Sequence, residues 1–172
     1  MKYLIVCSML LVSLGTNATN LDSLYQDDVS SIEKLCDAML SAFSGKADEQ
    51  KDWKRFENLF LPGATQLDIV GGDEPELNVL TMEDFMEGEK PWYDETNFSE
   101  WTIKYTIRQF GDMASVIQPF GYEYFNAGDL DEDEGVGYTA FQLVNKDGRW
   151  WIVSLIWESE TEENKIADKY MK

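Results

Sequence analysis

The chain has 172 residues, with 33 acidic and 14 basic side chains, no histidine, two cysteines and a formal net charge of −19. Without histidine, a Ser-His-Asp or Cys-His nucleophile, a histidine-ligated zinc and a histidine general base are excluded, so proton transfer would need a carboxylate, tyrosine, lysine or water. The acidic balance disfavours binding to nucleic acid and electrostatic docking to anionic membranes.

Residues 1–18 have the pattern of a signal peptide. A charge at Lys2 precedes an apolar run over 4–14, and Thr16-Asn17-Ala18 supplies small residues at the positions that a signal peptidase recognises. The run is about half of the roughly 20 residues that a membrane-spanning helix needs. We therefore expect an exported protein, periplasmic or extracellular, that keeps no membrane anchor after cleavage.

The remaining residues, 19–172, are predicted to form a single domain with its core at about 28–158 and a C-terminal tail at 159–172. About 150 residues suffice for one hydrophobic core, and no internal repeat or linker divides the sequence. Cys36 would be the one cysteine left after cleavage, so it cannot form an internal disulfide.

The first predicted element is an amphipathic helix that begins at a capping box, Ser30 to Glu33, and ends at Gly45 as its C-cap. Cys36 lies on the apolar stripe of this helix, which predicts a core residue and not a reactive thiol. A second short helix is predicted over 52–60 and a strand over 65–70. A third helix has Thr81 as its cap, and Pro91 kinks or ends it.

From Phe98 the apolar period changes to two, which predicts one long strand in which Trp101, Ile103, Tyr105 and Ile107 share a face. Further strands are predicted over 113–125, with a bulge at Pro119, over 136–144 and over 149–158. Their connections are a turn at 111–112, an acidic loop at 126–135 and a turn at 145–148. Helices followed by an antiparallel meander predict an α+β fold, with helices packed on one face of a curved sheet.

The order of these elements and a set of short motifs resemble the nuclear-transport-factor-2-like superfamily, and within it the SnoaL-like and ketosteroid-isomerase-like proteins and a bacterial exported branch. The resemblance covers about residues 28–171, and its most specific part is the run from Gly148 to Ser154. The other matching motifs are Ser44-Gly45, Asp52-Trp53, Arg55-Phe56, Leu59-Phe60, Pro62-Gly63-Ala64, Phe110-Gly111, Phe141-Gln142-Leu143, Trp157 and Lys169-Tyr170.

This resemblance implies a cone in which helices and a bent sheet surround an apolar pocket, often with dimerisation through the sheet. The stretch from Leu59 to Asp68 is similar to the one that ends in the general-base aspartate of ketosteroid isomerase, which makes Asp68 the candidate catalytic residue. The alternative is that Asp68 is an outward-facing polar residue. The positions of the isomerase's oxyanion partners fall on Ala140 and near Ala38, so ketosteroid isomerisation itself is not expected.

Trp157 matches an aromatic residue that lines the isomerase pocket. On the predicted last strand it shares a face with Trp151, Val153 and Leu155, and the other face carries Trp150, Ile152, Ser154 and Ile156. The alternative is that these aromatic residues fill a solid core. The predicted ligand-binding residues are Trp53, Phe56, Phe60, Phe85, Tyr138, Gln142, Trp151 and Trp157.

The loop that contains Asp129, Asp131 and Asp133 invites a calcium site. However, the sixth and twelfth positions of an EF-hand loop would be Glu134 and Ala140, where that motif needs glycine and a bidentate glutamate. A solvated hairpin loop is expected, with weak millimolar cation binding as the alternative. No metal site and no cofactor are predicted.

Three functions remain open on the sequence. The first is a binding module that holds a hydrophobic or aromatic small molecule without chemistry. The second is a lyase, isomerase or cyclase that uses Asp68 as general acid or base. The third is a homodimeric assembly module that works through the sheet face bearing Trp150, Ile152 and Ile156.

Overall fold

The computed structural model describes residues 24–70, 76–126 and 131–172, and at 67–70, 76 and 131 it describes the backbone alone. The predicted signal peptide therefore lies outside the described residues. The elements in chain order are α1 (Ile32–Ala42), α2 (Trp53–Asn58), β1 (Phe60–Val70), β2 (Glu76–Thr81), α3 (Met82–Gly88), α4 (Lys90–Glu95), β3 (Asn97–Thr102), β4 (Thr106–Phe110), β5 (Met113–Asn126), β6 (Asp131–Lys146), β7 (Arg149–Ser159) and α5 (Asp168–Met171).

The seven strands form one mixed sheet in the order β2-β1-β7-β6-β5-β3, and β4 also pairs with β5. All pairs are antiparallel except β1 with β7, which is parallel. Helices α1 to α4 lie on one face of this sheet, and the main core forms between them. The fold is thus α+β, as the order of elements predicted.

Two helix starts follow the expected capping chemistry. The Ser31 side chain accepts a hydrogen bond from the Lys34 amide, so the N-cap of α1 is Ser31 and the predicted capping box beginning at Ser30 is off by one residue. Thr81 and Asp84 form the complete predicted capping box of α3. Helix α1 ends at Ala42, and Gly45 is not its C-cap: Gly45 instead forms a bridge with Phe98 of β3.

Cys36 lies fully buried on the inner side of α1, as its place on the apolar stripe predicted. Burial raises the pKa of its thiol, which keeps the thiol protonated and unreactive. The core around it is apolar and largely aromatic. Phe56, Leu59, Phe141, Ile152 and Leu155 are each at most 2% exposed.

The predicted long strand from Phe98 is two strands, β3 and β4, separated at 103–105. Both pair with β5, and the break lies opposite Pro119, which has no amide hydrogen to donate to a neighbouring strand. The Ile103 amide still donates to the Pro119 carbonyl at 2.9 Å. Pro119 therefore leaves β5 continuous and interrupts its neighbour, whereas a bulge in β5 was expected.

The acidic segment before Gly135 is mostly strand where the structure describes it. Strand β6 begins at Asp131, which pairs with Asn126 of β5, so residues 131–135 of the predicted loop belong to a strand. The turn between β6 and β7 is as predicted. Asp147 and Gly148 both have positive φ, which is the backbone that a two-residue hairpin requires.

Candidate functional site

The concave face of the sheet and the helices enclose a small inner cavity. Its apolar walls come from Met39, Phe43, Phe56, Phe85, Leu155 and Trp157, and its polar lining from Gln66, Glu100 and Thr139. The centre of a water molecule can occupy about 30 Å³ of it, which is room for one or two waters. The interior of the cone is therefore nearly filled.

A wider cleft of about 350 Å³ lies at the open end of the cone. Tyr93, Glu100, Phe120 and Trp157 line both the inner cavity and this outer cleft, so the two are adjacent. The outer cleft is large enough for a small organic molecule, whereas the inner cavity accepts a few atoms at most. The outer cleft is further lined by Glu89, Trp92, Phe98, Tyr122, Tyr124 and Ser159.

Glu100 on β3 places a carboxyl group where the outer cleft meets the inner cavity. Its backbone amide donates to the Ser44 hydroxyl at 3.1 Å, which fixes the strand against the end of α1. Within the part of the chain that the structure describes, its carboxylate has no hydrogen bond or ion pair. Burial raises the pKa of the Glu100 carboxyl to about 8, so the group changes charge close to neutral pH.

Gln66 on β1 is the second polar group of the cavity and is 3% exposed. Its Nε2 finds no acceptor among the described residues. A buried donor without an acceptor is costly, because it has lost its hydrogen bonds to water. The inner cavity therefore carries two unsatisfied polar groups, the Gln66 amide and the Glu100 carboxyl.

The walls of the outer cleft are rings that meet edge to face. Trp92 contacts Tyr93, Phe98 and Tyr124 with ring centroids 5.0, 5.7 and 5.2 Å apart and interplanar angles of 84°, 72° and 77°. Tyr93 also meets Phe98 at 84°. Such mutually supporting contacts hold the rings in place and favour a rigid aromatic surface.

Two glycines of β6 leave the space that aromatic rings of β5 occupy. A Cβ on Gly137 would overlap the Phe120 ring, and a Cβ on Gly135 would lie 2.7 Å from the Tyr122 hydroxyl. Both glycines are on β6, directly opposite these aromatic residues. The glycines of β6 therefore let two rings lie flat on the sheet beside the cleft.

Three of the predicted ligand-binding residues, Phe56, Phe85 and Trp157, line the inner cavity. Trp53 and Phe60 lie behind this lining, in the core. Trp53 stacks on Phe43 at 6.4 Å, and Phe60 contacts Phe56 at 5.0 Å. The ligand-binding role of all five stays a prediction.

Tyr138, Gln142 and Trp151 lie on the opposite, outer face of the sheet. Tyr138 packs against Tyr170 of the C-terminal tail, and Gln142 accepts a hydrogen bond from Ser115 at 3.0 Å. The Trp151 ring lies 3.6 Å from the Arg149 guanidinium. These three residues are therefore not brought together with the cavity.

A register shift in β7 explains the change of face. Leu143 pairs with Ile152 and Gln142 pairs with Ser154, so Val153 is an extra residue that bulges. The bulge reverses the alternation, and the expected shared face of Trp151, Val153, Leu155 and Trp157 is wrong. The inner face of β7 carries Leu155 and Trp157 as expected, but with Trp150 and Ile152 in place of Trp151 and Val153.

The backbone of Asp68 lies in β1, opposite Trp157 of β7 and Asn78 of β2. Gln66 and Leu155, which pair two positions earlier on the same two strands, both line the inner cavity. The side chain of Asp68 lies outside the described part of the structure. Its catalytic role remains a prediction that rests on the resemblance.

Sequence reasoning missed Glu100, which is the carboxyl group of this site. The signal was present in Phe98, a large apolar residue two positions earlier on the same strand. The prediction counted the period from Trp101, whose side chain is 48% exposed, and so assigned the strand the wrong inner face.

The described residues contain no group of three or more acidic, cysteine or histidine side chains that could hold a metal ion. Part of the predicted acidic loop falls outside them, since 127–130 and the Asp131 side chain are not described. No helix in the described parts of the chain is long and apolar enough to cross a membrane.

No family model matches the sequence, and no curated protein matches it. Solved structures do match. A hexachlorocyclohexane dehydrochlorinase (LinA, type 2) superposes with a TM-score of 0.58 at 11% identity, covering 82% of this chain and 89% of that one. A nuclear transport factor 2 superfamily protein from Salmonella enterica gives 0.57 at 13% identity, covering 83% and 95%.

The association domain of calcium/calmodulin dependent protein kinase II from C. elegans gives a TM-score of 0.50 at 16% identity, covering 79% of this chain and 95% of that domain. These likenesses concern the fold alone. The chain has the nuclear-transport-factor-2-like fold, as the resemblance of its motifs predicted. This fold is shared by an enzyme acting on a small molecule and by an association domain, so the function must come from the site.

Proposed function

We propose that this protein binds a small molecule with an apolar or aromatic body in the outer cleft, with one polar group placed against Glu100. The observation that supports this most directly is the cleft itself, which has aromatic walls and, at its floor, a carboxyl group without a hydrogen-bond partner among the described residues. A solid core would not need a carboxyl group there, because burying one without a partner is costly. We also propose, from residues 1–18, that the protein is exported.

Native mass spectrometry of gently purified protein tests this proposal, with uptake of the neutral apolar dye Nile red as a second readout. We expect a stoichiometric adduct or saturable dye binding.

Trp157→Ala should weaken dye binding about tenfold, since it removes a wall shared by the cleft and the cavity. Trp101→Ala is the matched control, because this tryptophan lies on the outer face over Gly121. Equal effects of the two variants would contradict the proposal.

An enzyme is the second candidate, because a carboxyl group with a pKa near neutrality suits a general acid or base. Glu100 and Asp68 are its two candidate catalytic residues. Once a ligand is identified, turnover is measured for Glu100→Gln and Asp68→Asn alongside binding. Lost turnover with retained binding would support the enzyme, and retained turnover in both variants would exclude these carboxylates.

A homodimer through the sheet is the third candidate, and the structure changes the face that would be used. Trp150 and Ile152 of the predicted face are 7% and 0% exposed, buried within the monomer against the helices. The outer face instead carries an apolar row across four strands. Successive pairings join its members Phe110, Met113, Val144 and Trp151.

Phe110 and Met113 of this row are 83% and 61% exposed, which supports burial against a second copy. Light scattering after gel filtration at micromolar concentration tests it. Met113→Glu should give monomers. Leu77 is also an exposed apolar residue, but it lies on β2 and not in this row, so Leu77→Glu should leave the mass unchanged. A monomeric wild-type protein would end this candidate.

A further inference from the structure

We propose that the outer cleft selects an organic cation, an amine or quaternary ammonium group carried on an apolar body. This inference rests on the proposed binding function and names its ligand class. The outer cleft unites two features that recognise such a group: aromatic rings on several sides, and carboxylates with no basic side chain among the described lining residues.

The aromatic walls provide the first argument. Among the described residues, seven aromatic side chains line the cleft, contributed by α4, β3, β5 and β7. Because Trp92 meets its neighbours nearly at right angles, different rings present their faces in different directions. A cation within about 6 Å of several ring faces is attracted to each of them, so aromatic walls compensate an ammonium group for its lost hydration better than aliphatic walls do.

The charge of the lining provides the second argument. Glu100 at the floor and Glu89 at the rim are acidic, and no lysine or arginine appears among the described residues that line the cleft. Lys90 follows Glu89 in sequence, but its ammonium pairs with Asp94 and lies 5.3 Å from the Trp53 ring. A bound cation would neutralise the Glu100 carboxylate, a neutral ligand would leave it unpaired, and an anion would be repelled.

Cation binding in the cleft should depend on pH through Glu100, and several groups of the lining face this carboxyl. They are Glu89 and Tyr93 from the α3–α4 corner, and Tyr122 and Tyr124 from β5, whereas β7 contributes the uncharged Trp157 and Ser159. The pKa of Tyr122 is raised by burial and by nearby Asp133, which favours its neutral form. Glu100, with a pKa of about 8, is the group that changes charge. A bound cation favours the ionised form of the Glu100 carboxyl. Cation binding below about pH 8 must therefore release a proton from Glu100.

The experiment compares choline with 3,3-dimethylbutan-1-ol, its neutral isostere, which has carbon in place of the quaternary nitrogen. Binding is followed by tryptophan fluorescence and by calorimetry in two buffers of different ionisation enthalpy. We expect choline to bind at least about tenfold more tightly than the alcohol at about pH 9. Its affinity should fall as the pH is lowered to about 6, with proton uptake by the buffer.

Glu100→Gln should remove both the preference for choline over the neutral alcohol and the proton release. Glu123→Gln, an exposed acid on β5, is the matched control for the loss of one negative charge. If the alcohol binds as well as choline, or neither binds while Nile red does, the cation inference is overturned and the cleft-binding proposal stands. If choline, the alcohol and Nile red all fail to bind, both proposals fall.

Discussion

Glu100 is the residue on which the site depends, and its environment also affects the stability of the folded chain. Its pKa is raised by burial from 4.5 to about 8. Between these two values the unfolded chain is ionised at this position while the folded chain holds a proton. The folded state therefore binds more protons, and stability falls as the pH rises through this window.

We expect Glu100→Gln to remove this dependence. The variant should gain stability relative to the wild type from about pH 5 to pH 8, by up to about 1.4 kcal/mol for each pH unit. Below about pH 4 the two proteins should show the same dependence on pH, because the glutamate is then protonated in both states. Urea unfolding of both proteins across this range measures the difference. A difference that stays constant with pH would mean that Glu100 titrates as an ordinary exposed carboxyl.

A bidentate ion pair joins α2 to the turn before α1. Arg55 Nε and Nη2 donate to the two Asp28 carboxylate oxygens at 2.7 and 2.8 Å, and both side chains are less than one third exposed. Arg55→Lys keeps the charge but loses the planar fork, so it should lower the free energy of unfolding by about 1 kcal/mol. Lys34→Arg is the control, since its pair with Asp27 is exposed. Equal urea midpoints for the two variants would contradict this expectation.

At the scale of the elements, the shape of the cleft depends on glycines in β6. Gly137→Ala places a Cβ against the Phe120 ring, and because Phe120 is 3% exposed the ring has little space to move. The variant should lose about 1–3 kcal/mol of stability and bind Nile red more weakly. Gly88→Ala in α3 meets nothing within 4 Å and should be neutral or slightly stabilising. Thermal unfolding and dye titration of the two variants check both expectations.

The sequence predicted the helices and most strands, because caps, apolar periods and turn residues act locally. Thr81, Gly111 and Gly148 mark boundaries that the structure confirms. The sequence did not predict where the alternation of inward-facing and outward-facing side chains along a strand is interrupted. The bulge at Val153 and the break opposite Pro119 depend on the register of neighbouring strands, which a single strand's sequence does not contain.

The same limit explains the mixed outcome at the site. Phe56, Phe85 and Trp157 line the inner cavity, and a helix face or a matched motif had pointed to each of them, although their ligand-binding role stays a prediction. Tyr138 and Gln142 were counted onto the inner face by an ungapped comparison, and pairing puts Thr139 opposite Trp157 instead. An error of one residue on a strand moves every side chain to the other face.

For the whole molecule, the two faces of the sheet have separate environments. The inner face carries the core and the cleft. On the outer face the C-terminal tail folds back, so that Tyr170 packs on Tyr138 and the Lys169 carbonyl accepts from Lys104 at 3.4 Å. The tail thus covers one end of the outer face, and the apolar row of Phe110 and Met113 lies at the end that it leaves exposed. Any second copy would have to approach from that end.

The net charge of −19 acts on the whole fold through repulsion. The ion pairs found among the described residues are mostly at the surface, where each contributes little, so repulsion between carboxylates should outweigh them. Raising sodium chloride from about 0.02 M to 0.5 M shortens the screening length from about 20 Å to about 4 Å. We expect the thermal midpoint to rise by about 2–4 °C, corresponding to about 1 kcal/mol. Sucrose at equal osmolality separates screening from solute exclusion, and a midpoint that falls with salt would show that attractive pairs dominate.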